Sequence, residues 1–317
     1  MKIGVVGIGG VGGIFGGLLA HAGYDVTFLS RGKTLKKLKS DGIKIKSYMG
    51  NLELKKISAV DVSSSTQEID LIILAVKAWQ VEDTARLIEP MLHDDTVVIP
   101  LQNGVDAPDI LRNKLGDKHV LPGMCRVVAF KSEPNIIEHT DVDPFIAFGE
   151  RDNQKSERVE KIAEIFRNAN IIAKIPDDIY SALWQKFLFV TSTSGIGAVT
   201  RIPMGLLRKV HETRKLFVRS INEIINIAEK KNIDLPGDIV AKSLDYLDNL
   251  KADSTSSTQR DIMEGRPSEL EALNGAVVRM GKDLSIETPV NEFIYSSLLP
   301  MELIARNNLN PIKNNYS

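Results

Sequence analysis

Short apolar runs alternate with longer amphipathic segments along the first half of the chain. Strand-like runs rich in β-branched and aliphatic residues fall at Lys2–Val6, Asp25–Leu29, Asp70–Val76, Thr96–Leu101, Ile136–His139 and Phe145–Phe148. Helical segments are predicted at Val11–Ala22, Val81–Leu92 and Asp106–Leu115. Such alternation is typical of βαβ units, and a continuous apolar run indicates a strand buried on both faces of a parallel sheet. The pattern therefore predicts an α/β domain with a Rossmann-like, doubly wound parallel sheet.

The pattern changes near Pro176, after which helical periodicity dominates. Helices are predicted at Ile179–Thr193, Lys209–Lys231, Ile239–Asp248, Glu269–Lys282 and Val290–Asn307. Pro176 and Asp177 resemble the start of a helix. We therefore predict two domains, an α/β domain over residues 1–176 and an all-helical domain over residues 177–317.

Composition narrows the class of protein. The 317 residues include 40 basic and 41 acidic side chains, and a net charge of −1 gives no reason to expect nucleic acid or an anionic membrane as partner. The single cysteine, Cys125, excludes an intrachain disulfide, and no apolar run is long enough to span a bilayer. We predict a cytoplasmic protein without a metal site, and the sequence leaves a homodimer open.

A glycine-rich segment follows the first predicted strand and opens the first predicted helix. It reads Gly7, Ile8, Gly9, Gly10, Val11, Gly12 and fits the pattern G-x-G-x-x-G. In this context the glycines allow a tight turn, the approach of a pyrophosphate and close packing of helix on strand. The N–H groups of the helix N-terminus favour phosphate binding. The segment predicts a dinucleotide cofactor, and the alternative is a structural turn without a ligand.

The end of the second strand indicates which dinucleotide is bound. NAD-binding versions of this unit carry an acidic residue there for the ribose 2′-hydroxyl, whereas this chain has Arg31 with Lys33 close by. A guanidinium binds a phosphate through paired, charge-assisted hydrogen bonds. Arg31 therefore predicts NADPH/NADP as cofactor, unless both cations are ordinary surface charges.

Four separated patches together resemble the ketopantoate reductase (2-dehydropantoate 2-reductase) family over nearly the whole chain. The patches are the glycine-rich loop with Arg31; residues 76–80 (VKAWQ) with 102–104 (QNG); residues 183–186 (LWQK); and residues 256–261 (SSTQRD) continuing to Gly275. The resemblance implies hydride transfer from a nicotinamide to the carbonyl carbon of a 2-oxo acid, which yields a 2-hydroxy acid.

The resemblance also implies roles for individual residues. Lys186 would be catalytic, because an ammonium can protonate and stabilise the carbonyl oxygen as it gains negative charge. Asn103 would contact cofactor or substrate, and Ser257 would bind the substrate carboxylate. Lys77, Ala129 and Glu269 would lie at the cofactor. Structural alternatives are a snorkelling lysine at position 186, a turn at Asn103, and a helix start at Glu269 capped by Ser268.

The substrate side departs from the family pattern. Family asparagines are replaced by Val190, Ser194 and Met204, so polar contacts to a hydroxylated substrate are lost. Thr191 and Ser194 offer substitute hydroxyl groups for substrate binding. The default substrate remains 2-dehydropantoate. Alternatives are another 2-oxo acid, a β-hydroxyacid dehydrogenase activity, and a non-catalytic NADP-binding sensor.

Overall fold

The computed structural model describes residues 1–308, and residues 309–317 of the predicted second domain lie outside this range. By the pattern of its internal contacts the chain divides into two compact units. The first comprises residues 1–102 and 106–182, and the second comprises residues 103–105 and the chain from Leu183 on. No helix within residues 1–308 has both the length and the apolar character needed to cross a membrane.

The first unit contains a five-stranded sheet in which every neighbouring pair is parallel. Its strands are β1 (Lys2–Val6), β2 (Asp25–Ser30), β5 (Ser58–Asp61), β6 (Leu71–Leu74) and β7 (Val97–Pro100), in the order β5-β2-β1-β6-β7. The predicted parallel sheet is thus confirmed. Val6 of β1 pairs with Leu29 of β2 on one side and with Leu74 of β6 on the other. The carboxyl ends of these three strands therefore lie at one edge of the sheet.

Five helices belong largely to this unit. They are α1 (Gly10–His21), α2 (Gly32–Asp41), α3 (Val81–Ile88), α4 (Ala107–Leu115) and α5 (Glu157–Asn168). The segments α1, α3 and α4 agree with the sequence pattern, whereas α2 and α5 were not predicted. The sequence of α2, GKTLKKLKSD, is mostly polar and basic. Its buried face consists of Leu35 and Leu38, which is too narrow to give a clear helical pattern.

A second sheet in the same unit was not predicted. It consists of β3 (Ile43–Ser47), β4 (Leu52–Leu54), β8 (Gly123–Glu133), β9 (Ile136–Phe148) and β10 (Ile172–Lys174). β8 and β9 form a long antiparallel hairpin, and β9 also pairs in parallel with β3 and with β10. The two strand-like runs at 136–139 and 145–148 are therefore one continuous strand, because different halves of β9 pair with different neighbours.

The remaining helices confirm the all-helical second half of the chain. They are α6 (Ile179–Thr200), α7 (Met204–Lys209), α8 (His211–Lys230), α9 (Ile239–Asn249), α10 (Ser257–Met263), α11 (Asn274–Leu284) and α12 (Pro289–Ala305). These helices are joined by hydrogen bonds between buried polar groups, in addition to their packing in the apolar core. The Glu223 carboxylate accepts hydrogen bonds from the backbone N–H groups of Val290 and Asn291 at the start of α12. Asn291 in turn accepts from Asn274 of α11 at 2.9 Å.

One predicted helix start is wrong. The helix expected from Glu269 begins at Asn274, because Leu273 has a non-helical backbone (φ −106°, ψ −100°). Ser268 therefore caps no helix. Its hydroxyl donates to the buried Glu302 carboxylate and accepts from the N–H of Leu270. Glu302 also accepts from Arg306, so Ser268 belongs to a buried polar anchor of α12.

Candidate active site

The glycine-rich loop connects β1 to α1 at the carboxyl edge of the parallel sheet. Gly7 has φ +91°, and a Cβ there would lie 2.6 Å from the Val76 nitrogen, so only glycine fits. A Cβ at Gly12 would clash with the Gly7 carbonyl oxygen. Gly9, by contrast, has no heavy atom within 4 Å of its Cβ position. The loop therefore packs closely against the protein at Gly7 and Gly12, whereas Gly9 faces open space.

The start of α1 offers backbone N–H groups without a capping side chain. Gly9 is the N-cap residue and makes no side-chain cap hydrogen bond, and the first turn carries no acidic residue. An uncapped N-terminus with free donors attracts anions. Together with the open space at Gly9, this arrangement fits a pyrophosphate.

The end of β2 is basic. Arg31 is exposed and is the N-cap residue of α2, and neither the Arg31 guanidinium nor the Lys33 ammonium forms a hydrogen bond or an ion pair with any residue in the range 1–308. On the neighbouring strand β5, the acidic residue Asp61 lies opposite Ser30 of β2. Hydrogen bonds from the Ser63 hydroxyl and N–H lower the pKa of Asp61, with a smaller effect of the Arg31 charge.

Two further predicted cofactor residues border this edge. Lys77 follows β6 and places its ammonium 5.8 Å from the centre of the Trp79 ring. Ala129 lies on β8, and its carbonyl oxygen occupies the position that a Cβ of Gly10 would need. The backbone of β8 therefore packs directly on the start of α1.

Gln102 is a residue of this edge that sequence reasoning missed. It is buried, and its amide donates to the carbonyl oxygens of Leu74 (2.8 Å) and Val76 (3.0 Å), which ties the end of β7 to the end of β6. Its own oxygen has no partner among the described residues. The Gln-Asn-Gly motif was the available signal, since a polar pair directly after a buried strand faces this edge.

Within the second unit, Asn103 and Glu269 lie together although 166 positions separate them. The Asn103 amide donates to the Glu269 carboxylate at 2.8 Å, and Glu269 is 5% exposed. Gly104 has φ +97°, and its Cβ position lies 2.8 Å from the Ala272 carbonyl oxygen. The short segment 103–105 is therefore fitted closely against residues 269–272.

Lys186 lies on α6 and is half-buried. Trp184 and Phe187 beside it are 3% and 2% exposed, and their rings stack edge to face at 5.6 Å. Burial of these two rings holds this part of α6 in a fixed orientation. Within the described part of the chain, the ammonium of Lys186 forms no hydrogen bond and no ion pair.

Helical spacing places Val190 and Ser194 on the same face of α6 as Lys186. The exposure of this face falls along the helix, from half-buried at Val190 to 1% at Ser194. The hydroxyl groups of Thr191 and Ser194 are buried without a hydrogen-bond partner among residues 1–308. Their contact with a substrate stays a prediction.

The two serines at the start of α10 have different surroundings. Ser256 caps the helix by accepting from the N–H of Gln259 at 3.0 Å, whereas Ser257 is exposed and its hydroxyl group makes no hydrogen bond to residues 1–308. Thr258 and Gln259 were not predicted, yet both are buried and carry an unpaired oxygen. Gln259 fills the space left by Gly197, since its Oε1 lies 2.6 Å from the Cβ position there.

Two family models cover most of the chain. The model described as "Ketopantoate reductase PanE/ApbA" matches residues 3–153, and "Ketopantoate reductase PanE/ApbA C terminal" matches residues 178–302. A glycine-rich βαβ unit followed by a helical unit, together with these matches, defines an oxidoreductase. The chain belongs to the ketopantoate reductase family, which confirms the resemblance inferred from the four patches.

Individual relatives match from end to end. The uncharacterized oxidoreductase YkpB of Bacillus subtilis is 30% identical over 94% of this chain and 98% of its own length. A 2-dehydropantoate 2-reductase of Nostoc is 25% identical over 94% of both chains. A structure of D-mandelate dehydrogenase with NADH and anilino(oxo)acetate has a TM-score of 0.89 at 23% identity, covering 96% of this chain and 99% of the other.

Proposed function

We propose that this protein is an NADPH-dependent reductase that converts a 2-oxo acid to a 2-hydroxy acid. The default substrate is 2-dehydropantoate, whose reduction to pantoate serves pantothenate biosynthesis. The observation that carries the proposal is the half-buried ammonium of Lys186, which has no partner within residues 1–308 and lies on a helix fixed by buried aromatic rings. A cation held in that way is suited to a ligand that carries or gains negative charge.

The residues of the first unit fit a phosphorylated dinucleotide. The open space at Gly9 and the uncapped start of α1 suit its pyrophosphate, and Arg31 at the end of β2 suits a 2′-phosphate. When bound, NADPH supplies the hydride that reduces the carbonyl carbon. The matching positions Lys77 and Ala129 would line the same edge of the sheet.

The ammonium of Lys186 has two tasks in this proposal. It offsets the negative charge that develops on the carbonyl oxygen, and it donates the proton that turns this oxygen into a hydroxyl group. A lysine already engaged by a carboxylate would be less free for either task.

The Asn103–Glu269 pair supports the polar half of the site. Because one amide N–H of Asn103 is held by the Glu269 carboxylate, the orientation of the amide is fixed. The second N–H and the oxygen of Asn103 then remain for cofactor or substrate. Ser257, exposed at the start of α10, is our candidate for the substrate carboxylate.

Two observations bear on which 2-oxo acid is the substrate. The Nostoc relative carries the name 2-dehydropantoate 2-reductase, which favours that substrate. Against it, the Val190 side chain offers no hydrogen bond one turn after Lys186, and the hydroxyl groups of Thr191 and Ser194 are the candidate polar replacements. A panel of 2-oxo acids with apolar and hydroxylated side chains is therefore the appropriate test.

The test measures NADPH oxidation with 2-dehydropantoate and this panel. We expect Lys186→Ala to lower kcat by about 10²–10⁴-fold, the usual contribution of a positioned general acid, while the Kd for NADPH changes little. Lys215→Ala serves as control, because Lys215 is an exposed lysine of α8. Full activity of Lys186→Ala would contradict the assigned role, and binding of NADPH without turnover of any oxo acid would favour a sensor.

A further inference from the structure

One face of β8 connects the two loops that follow β1 and β2. Ala129 packs with its carbonyl oxygen on Gly10, at the start of α1. Two residues further along, the ammonium of Lys131 donates to the Thr34 hydroxyl at 3.1 Å. The ladder from Ala129 to Lys131 is regular against His139, Glu138 and Ile137, so residues 129 and 131 share a face of the strand.

This placement brings Lys131 to the beginning of α2. Thr34 is the third residue of that helix, and Arg31 is its N-cap residue. The two cations therefore approach the same helix start from different sides, Arg31 from the end of β2 and Lys131 from β8. Glycine at position 32 has no heavy atom within 4 Å of its Cβ position, which leaves space in front of the helix start.

Lys131 is an exposed residue whose ammonium forms no ion pair with a carboxylate within residues 1–308. Partial burial of the ammonium by its neighbours lowers its pKa. The carboxylates of Asp41 at the end of α2 and of Asp61 at the end of β5 have other partners, since Lys37 binds Asp41 at 2.7 Å and the Ser63 N–H donates to Asp61. A cation that is bonded to a hydroxyl group and not to a carboxylate can form a charge-assisted hydrogen bond with an anionic ligand.

We propose that Lys131 is a specificity-determining residue that binds the 2′-phosphate of NADPH together with Arg31. The Thr34 hydroxyl accepts its hydrogen bond from Lys131, so its own proton is left to donate to a phosphate oxygen. This inference rests on the proposed function, because it assigns a second cation to the same cofactor. It adds discrimination against NADH, which lacks the phosphate.

The alternative is that Lys131 merely ties β8 to α2. A structural tie would affect NADPH and NADH alike, whereas a phosphate ligand affects only the phosphorylated cofactor. The two explanations are therefore separated by the ratio of the two dissociation constants rather than by either constant alone.

The experiment titrates the full-length protein with NADPH and with NADH, using adenosine 2′,5′-bisphosphate and AMP as smaller probes. We expect Lys131→Ala to raise the Kd for NADPH and for the bisphosphate by about tenfold, as for loss of a charged hydrogen bond, and to leave NADH and AMP within about twofold. Lys131→Arg should keep most of the preference for NADPH, because it retains the positive charge.

Lys37→Ala is the matched control, since Lys37 lies on the same helix but is paired with Asp41. It should change neither dissociation constant. Equal weakening of NADPH and NADH in Lys131→Ala, or no change in either, would overturn the inference while leaving the proposed function intact. If the unaltered protein itself shows no preference for NADPH, both the inference and the proposed cofactor fail.

Discussion

At the scale of single residues, the candidate site is distinguished by groups that lack the partners found elsewhere. Lysines such as Lys37 and Lys118 pair with carboxylates at 2.7 Å. No carboxylate partner is recorded for Lys131 or Lys186 within residues 1–308. The hydroxyl groups of Thr191 and Ser194 are buried and equally unpaired there. Unpaired buried polar groups cost free energy, so the buried hydroxyl groups of Thr191 and Ser194 favour a ligand as the missing partner.

A well-paired residue shows the contrasting behaviour, which pH can test. Glu150 accepts two hydrogen bonds from the Arg158 guanidinium at 2.6 Å and one from Ser156, and these contacts lower its pKa below the usual 4.5. Folding is therefore stabilised by the ionised form. This contribution is fully present above pH 4.5 and is lost as the pH falls through the lowered pKa of the folded state.

We expect Glu150→Gln to lower the urea midpoint at pH 7 and to flatten the loss of stability below pH 4.5. The control is Glu164→Gln, because Glu164 is an exposed glutamate of α5. Urea titrations at several pH values between 3 and 7, the interval around the ordinary pKa of glutamate, provide the measurement. Parallel pH profiles for the parent protein and Glu150→Gln would show that the pair does not act in this way.

At the scale of elements, the sequence predicted those strands and helices whose apolar residues follow a local pattern. The strands β1, β6 and β7 and the helices α1 and α12 were recognisable because each has a continuous apolar run or a wide apolar face. The second sheet was missed because its pairing is non-local. The runs at 136–139 and 145–148 of β9 were predicted as strands, but no local pattern indicates that β9 pairs with β3, β8 and β10.

The same distinction applies to the candidate site. The glycine-rich loop, Arg31 and Lys186 lie in motifs that can be recognised in the sequence. The contact between Lys131 and Thr34 joins residues 97 positions apart, and no local pattern marks it. The predicted start of α11 was too early. The carbonyl groups of Glu269 and Leu270 accept turn-like hydrogen bonds, but the helix itself begins only after the non-helical residue Leu273.

Close packing around α6 gives a test at this scale. A Cβ at Gly195 would lie 2.7 Å from the Asn274 side-chain oxygen and 2.8 Å from Ile294. Glycine to alanine normally stabilises a helix interior by up to ~1 kcal/mol, but here the added methyl group meets buried neighbours. We therefore expect Gly195→Ala to destabilise the protein by about 1–3 kcal/mol.

Thermal or urea unfolding measures this change, with Thr200→Ala as the control for helix propensity on the same helix. Thr200 is half-buried and its hydroxyl group donates to the Ile196 carbonyl oxygen of its own helix, so its replacement should have a small effect. A gain in stability for Gly195→Ala would mean that α6, α11 and α12 are packed less closely than described.

At the scale of the whole molecule, the chain combines a unit with two sheets and an all-helical unit, each with its own buried core. The near-zero net charge and the match to family models over residues 3–153 and 178–302 are consistent with an enzyme acting on small molecules. The residues assigned to the cofactor lie mainly in the first unit, and those assigned to the substrate lie in the second.

The most direct test of the central claim follows the hydride itself. The protein is incubated with NADPH that carries deuterium at both hydrogen positions of nicotinamide C4 and with 2-dehydropantoate or another 2-oxo acid, and the product is analysed by NMR and mass spectrometry. The account predicts a 2-hydroxy acid that carries deuterium at C2, with the yield strongly reduced in Lys186→Ala. Absence of deuterium from C2 for every oxo acid, in protein that binds NADPH, would contradict it.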